Sequence, residues 1–80
     1  MHVEFWREID DPPTKLGTAT LRDGVVKIQP EPVAATLLPA LLRDTRVDYE
    51  NSQPSDGERY LRALPEAFHG IAVMAVLVED

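Results

Sequence analysis

The chain has 80 residues, of which 44% are hydrophobic and 28% are charged, the composition of a globular rather than a disordered protein. This length is too short for two independently folded domains, so residues 1–80 are predicted to form a single domain. The absence of cysteine excludes disulfide bonds, thiolate metal ligands and a cysteine nucleophile. Fourteen acidic residues against eight basic ones give a net charge of −6, which disfavours direct binding to nucleic acid or to anionic membrane surfaces.

An N-terminal strand is predicted at residues 3–9, which alternate with the period of two typical of a half-buried strand. Val3, Phe5 and Ile9 fall on one side of this strand, and Trp6 falls on the other. A large aromatic side chain on the second side is a favoured anchor in protein interfaces. Trp6 is therefore predicted to contact a partner.

A β-hairpin is predicted after the Asp-Asp-Pro-Pro loop at residues 10–13, because proline ends strands. Its strands run from residue 14 or 15 to about 21 and from 25 to 29, and an antiparallel meander is the simplest arrangement. Asp23-Gly24 lies between them and can take the positive φ values that a tight hairpin needs. The hairpin side chains expected to pack are Ala19, Leu21, Val26 and Ile28.

A first helix is predicted from Pro32, since proline suits the first helical position. Pro39 would lose the hydrogen bond to the carbonyl of Ala35, so the helix is expected to be kinked or split near Leu38. Its apolar stripe comprises Val33, Leu37, Leu38, Leu41 and Leu42. Residues 45–50 then show weak alternation, which favours a short edge strand.

A second helix is predicted from Ser55, because Ser55 and Glu58 have the spacing of a capping box. Pro65 is expected to bend or interrupt this helix, and Gly70 is placed to end it. The apolar positions at helical spacing are Tyr60, Leu61, Leu64 and Phe68.

The last predicted strand, residues 71–78, is rich in β-branched residues and apolar on both faces. Ile71, Val73, Ala75 and Leu77 line one face, and Ala72, Met74, Val76 and Val78 line the other. Its eight residues are the longest apolar run and fall far short of the ~20 that cross a bilayer as a helix. The N-terminal residues lack the pattern of a signal peptide. We therefore expect no membrane contact and a cytoplasmic location.

Two interpretations follow for the second face of this strand. If both helices pack on one side of the sheet, a homodimer or another protein would cover the other side. Alternatively, the strand is central and residues 44–53 partly shield its outer face. The candidate partner-binding residues are Trp6, Ala72, Met74, Val76 and Val78.

The segment from Ser55 to Phe68, SDGERYLRALPEAF, follows a Gly17-Thr18-Ala19 strand. It resembles small uncharacterised bacterial proteins with an SDGxxYLxALPxxF-like segment. The resemblance covers the C-terminal third of the chain and bears on the fold. It implies no activity that can be assigned to particular residues.

No motif in the sequence points to chemistry. His2 and His69 are the only histidines and belong to no metal-binding motif, and the four glycines are too scattered to form a phosphate-binding loop. The sequence therefore predicts no catalytic residue, no metal ligand and no cofactor.

An acidic patch is predicted between residues 44 and 58, where Arg46 is the only basic residue. Its members are Asp44, Asp48, Glu50, Asp56 and Glu58. Such a run is most simply a solvated face, and its alternative role is to imitate the phosphates of nucleic acid.

The predicted fold is α+β: an antiparallel sheet in the order β-β-β-α-(β)-α-β with two helices on one face. The first functional hypothesis is a non-enzymatic interaction module or small regulatory subunit that docks a protein through an apolar sheet face or edge. The alternative is an acidic inhibitor that mimics nucleic acid. A small oligomeric enzyme, the third possibility, would need His69 near Asp56 or Glu58.

Overall fold

The computed structural model describes residues 1–44, 54–69 and 73–79. In chain order the elements are β1 (His2–Arg7), β2 (Thr14–Arg22), β3 (Val25–Pro30), a 3-10 turn (Pro32–Ala34), α1 (Leu37–Asp44), α2 (Pro54–Ala67) and β4 (Val73–Val78). These elements confirm the predicted α+β fold and its element order. The short strand predicted at residues 45–50 lies outside the described residues.

The four strands form one antiparallel sheet in the order β3-β2-β1-β4. The chain makes a meander of three strands and then returns through the helices to pair β4 with the free side of β1. Among the described strands, β4 lies at one end of the sheet rather than at its centre. The interpretation of a central strand shielded by residues 44–53 depends on residues 45–53, which lie outside the described part of the chain.

The hairpin between β2 and β3 turns as the sequence predicts, with positive φ at Asp23 and Gly24. The pairing of β1 with β2 has one shift in register: Phe5 lies opposite Gly17, whereas Trp6 lies opposite Lys15. Leu16 is the extra residue, as in a β-bulge. Its side chain is buried on the helix side, whereas Lys15 stays on the other side with Trp6.

The core lies between the sheet and the helices. Phe5 of β1 meets Phe68 at the end of α2, with ring centroids 5.3 Å apart and tilted planes. At the other end of α2, Gly57 lies against Leu21 and Val26, so the helix crosses the sheet from the hairpin to β1 and β4. The large side chains with almost no exposure are Val3, Phe5, Leu16, Leu38, Leu61, Leu64 and Phe68.

Some predicted core positions are exposed. Ile9 is 73% exposed because β1 ends at Arg7, before the alternation reaches it. Val33 is also 73% exposed, since it belongs to the 3-10 turn rather than to the helix. The predicted helix is split into this 3-10 turn and α1, which begins at Leu37. Pro39 therefore lies in the first turn of α1, where its missing N–H costs no intrahelical hydrogen bond.

The second helix also differs from prediction at its start. It begins at Pro54, which places Ser55 inside the helix instead of at its N-cap, and the Glu58 carboxylate contacts Arg62. The helix continues through Pro65 to Ala67, so proline does not interrupt it. The predicted end at Gly70 lies outside the described residues.

Candidate interaction surface on the sheet

The sheet has one face toward the helices and a second face, here called the outer face. The strand registers place thirteen residues on the outer face. They are His2, Glu4 and Trp6 of β1, Lys15, Thr18, Thr20 and Arg22 of β2, Val25, Lys27 and Gln29 of β3, and Met74, Val76 and Val78 of β4. None of the thirteen is buried by the described part of the chain. The outer face is thus open as far as the structure describes it.

Trp6 is held in place by its neighbours on this face. Its indole Nε1 donates to Oε1 of Glu4 at 3.2 Å, and Nε2 of His2 donates to Oε2 of the same carboxylate at 3.1 Å. These two hydrogen bonds hold the pKa of Glu4 below its ordinary value, and the bond from His2 has the larger effect. The ammonium of Lys15 lies 6.0 Å from the centre of the Trp6 ring, at the limit of a cation–π contact. The indole is therefore oriented by side chains two residues away and across the strand pair.

The apolar half of the outer face lies on β1 and β4. Trp6 is opposite Met74, Glu4 is opposite Val76, and His2 is opposite Val78 in the β1–β4 register. Met74 is 37% exposed, and the two valines are half-buried. The structure thus brings together four of the five predicted partner-binding residues, and the fifth, Ala72, lies outside the described residues.

The polar half lies on β2 and β3, and the sequence analysis did not single it out. Arg22, Lys27, Thr20 and Gln29 line a shallow concavity of about 300 Å³ there together with Val25. With Lys15, the outer face carries three of the eight basic residues but only one acidic residue, Glu4. In the sequence, Thr18, Thr20 and Arg22 alternate with the packed hairpin side chains, and this alternation could have placed Arg22 on the outer face.

The predicted acidic patch is described only in part. Asp48 and Glu50 lie outside the described residues, and Glu58 is the member whose side chain the structure shows. The Glu58 carboxylate is exposed and accepts two hydrogen bonds from Arg62, at 3.1 and 3.2 Å. Arg62 also contacts Glu79, which follows β4. Glu58 is therefore a member of an exposed ion-pair network.

The residues considered for acid–base chemistry do not converge. Glu58 lies in the second turn of α2, whereas His69 follows the end of that helix, roughly 15 Å away at the rise of an α-helix. Within residues 1–44, 54–69 and 73–79, no three His, Asp or Glu side chains are grouped to bind a metal ion. In the same residues, no helix has the length and apolar character needed to cross a membrane. The feature of the described residues that remains to be interpreted is the open outer face.

No protein-family model, no curated protein and no solved structure matches the chain. The resemblance at residues 55–68 therefore stays a prediction.

Proposed function

We propose that the chain is a non-enzymatic protein–protein interaction module, or a small regulatory subunit, that docks a protein partner through the outer face of β1 and β4 or along the β4 edge. The observation that carries the proposal is the oriented Trp6 beside the partly exposed Met74 on a face that the described residues leave open. Tryptophan is among the residues that dominate binding energy in protein interfaces.

The hydrogen bonds of Trp6 support a binding role because they reduce the cost of association. A side chain that is already held in one orientation loses less conformational entropy when a partner covers it, and an immobilised side chain costs about 0.5–1.5 kcal/mol. The Glu4 carboxylate also satisfies the indole N–H, so a partner can cover the ring without leaving that donor unpaired.

The size of the chain supports the same role. A domain of 80 residues buries only about 60–65% of the surface that its unfolded chain exposes, so its own core is small. Burial of Trp6, Met74 and the two outer valines against a partner would add to that core and stabilise the folded state through binding.

Site-specific photo-cross-linking tests the proposal directly. A photoreactive amino acid replaces Met74 in the full chain, which is expressed and irradiated in the cells that produce it naturally. We expect adducts from position 74, either with another protein or with a second copy, because this side chain lies at the centre of the proposed contact. The adducts are identified by mass spectrometry.

Two controls make the result decisive. The same photoreactive residue at Val33, which is exposed on the 3-10 turn away from the outer face, should give no such adduct. Trp6→Ala in the position-74 chain should reduce the yield at least several-fold, while circular dichroism confirms that the chain is folded. Equal adducts from positions 33 and 74, or none from 74, would contradict the proposed surface.

A further inference from the structure

We infer that β4 pairs edge to edge with β4 of a second copy, in antiparallel orientation, to form a dimer with a continuous eight-stranded sheet. This inference names a partner for the proposed interaction role and rests on it. It is carried by three features of β4: its position, its lack of charge and the charges that lie at its two ends.

Among the described residues, one side of the β4 backbone faces no other strand. Within the described residues β4 has a single neighbour, β1, along all six of its residues. The N–H and C=O groups of an edge strand are a template for pairing with another chain. Antiparallel addition of an identical strand satisfies them without any change in the sheet.

The composition of β4 does not block such pairing. Proteins protect their edges with lysine, proline, bulges or inward-pointing charge. The strand Val73–Val78, VMAVLV, contains none of these residues, and its pairing with β1 is regular. The opposite edge, β3, carries the exposed Lys27 and ends at Pro30. The contrast between the two edges selects β4 as the pairing edge.

The charges at the ends of β4 select a second copy in antiparallel orientation. Glu79 follows the strand, and the β1 partner of Val73 at the other end is Arg7. A parallel in-register pair would set two Glu79 side chains about 5 Å apart, which destabilises the pair. An antiparallel pair centred on Val76 moves the two Glu79 side chains to opposite ends of the interface, each opposite Val73 of the second copy. Glu79 keeps its contact with Arg62, and Arg7 keeps its ion pair with Asp10, so no like charges meet.

The same register extends the apolar half of the outer face. Pairing Val76 with Val76 of the second copy sets Met74 opposite Val78 in both directions, and all of these side chains lie on one side of the sheet. A two-fold axis perpendicular to the sheet gives this arrangement, with the helices of both copies on the other side. The dimer therefore doubles the surface that carries Trp6.

The small interface sets the expected affinity. Only one six-residue strand per copy pairs, whereas a standard interface involves about 20–30 residues on each side. We therefore expect a dissociation constant in the micromolar range, so the dimer should appear between about 1 μM and 1 mM protein.

Sedimentation equilibrium over that range tests the dimer with the full chain. The weight-average mass should rise from one copy toward two. Val76→Lys, at the centre of the edge, should weaken association several-fold, because it sets two lysine side chains directly opposite each other across the two-fold axis and like charges in that position destabilise a strand pair. Val25→Lys, on the outer face of β3, should associate as the parent does. Circular dichroism establishes that both variants fold.

Disulfide trapping gives a second, independent measurement, because the chain has no cysteine of its own. Directly opposed residues of an antiparallel pair have Cα atoms about 4.5–5.5 Å apart, within disulfide range. Val76→Cys should therefore form covalent dimers on mild oxidation, and Val25→Cys should not. A chain that is monomeric at about 1 mM, or a dimer that Val76→Lys leaves intact, would overturn the inference. A monomer that still gives adducts with another protein from position 74 would overturn the dimer and leave the proposed function standing.

Discussion

At Gly17, even the addition of a single methyl group should strongly destabilise the folded state. It lies in β2 with φ of +155°, a conformation that L side chains rarely adopt. A Cβ atom built there would lie 2.6 Å from the carbonyl oxygen of Gln29, 2.6 Å from Cδ2 of Leu38 and 2.8 Å from Cα of Pro30. Two of these three atoms belong to the backbone, so they cannot move away by a change of rotamer.

The expected cost of Gly17→Ala combines two effects. An unfavourable backbone conformation costs about 1–3 kcal/mol, and overpacking costs about 1–3 kcal/mol more. We therefore expect a loss of about 2–6 kcal/mol in the free energy of unfolding. A domain of 80 residues at about 0.05–0.15 kcal/mol per residue has only about 4–12 kcal/mol to lose. The variant should be strongly destabilised or unfolded.

Gly57→Ala is the matched control, because the same methyl group is crowded only by side chains, and the nearest backbone atom, the carbonyl oxygen of Gly24, is at an ordinary contact distance of 3.7 Å. Its Cβ would lie 2.7 Å from Cδ1 of Leu21 and 3.2 Å from Cγ2 of Val26, and both atoms can shift with their side chains. Alanine also favours the helix over glycine by about 1 kcal/mol, which offsets the crowding. We expect the stability of Gly57→Ala to lie within about 1 kcal/mol of the parent.

Urea denaturation followed by Trp6 fluorescence and by circular dichroism measures both variants, since Trp6 is the only tryptophan. In thermal unfolding each 1 kcal/mol corresponds to about 4–8 °C for a domain of this size. If Gly17→Ala and Gly57→Ala lose the same stability, or if Gly17→Ala stays within about 1 kcal/mol of the parent, the close approach of α1 and β3 to β2 is incorrect.

Two further predictions test the site and the core. The lowered pKa of Glu4 means that its hydrogen bonds stabilise the fold above the ordinary pKa of glutamate and are lost as the pH falls through the lowered pKa. Trp6 emission should therefore change with a midpoint below the ordinary pKa of glutamate. Glu4→Gln should remove this change in a fluorescence titration, and its persistence would contradict the role given to the carboxylate. Leu64→Ala should lower the free energy of unfolding by about 2–5 kcal/mol because Leu64 is fully buried, whereas Val33→Ala should change it by less than about 0.5 kcal/mol. Equal losses in a denaturation experiment would show that α2 does not pack as described.

Much of the fold was predictable because local signals and core packing agree. The Asp23-Gly24 turn and the helical spacing of Leu61 and Leu64 each have one simple structural solution, and the structure confirms both. The failures come from interactions beyond the local pattern. Ile9 continues the alternation of β1 but lies past the last strand residue, and the 3-10 turn takes Val33 off the apolar stripe. Periodicity cannot reveal where pairing stops.

The candidate site was predictable in composition but not in arrangement. The sequence showed that residues 71–78 are apolar on both faces, and the structure confirms the outward placement of Met74, Val76 and Val78. It did not show that β4 lies at the end of the described strands, because strand order depends on long-range pairing. Nor did it show that Glu4 fixes Trp6, since that contact depends on side-chain conformations across the strand.

The charges on the outer face limit how two copies can meet. Lys15, Arg22 and Lys27 lie on its β2–β3 half, with Glu4 as the only acidic residue among its thirteen positions. Two copies stacked outer face to outer face would confront these cations with one another or cover them with apolar side chains, and either arrangement costs free energy. Pairing through β4 avoids both costs, because the cations stay on the far side of each sheet, in water. Edge pairing is therefore the mode of self-association that the charges favour.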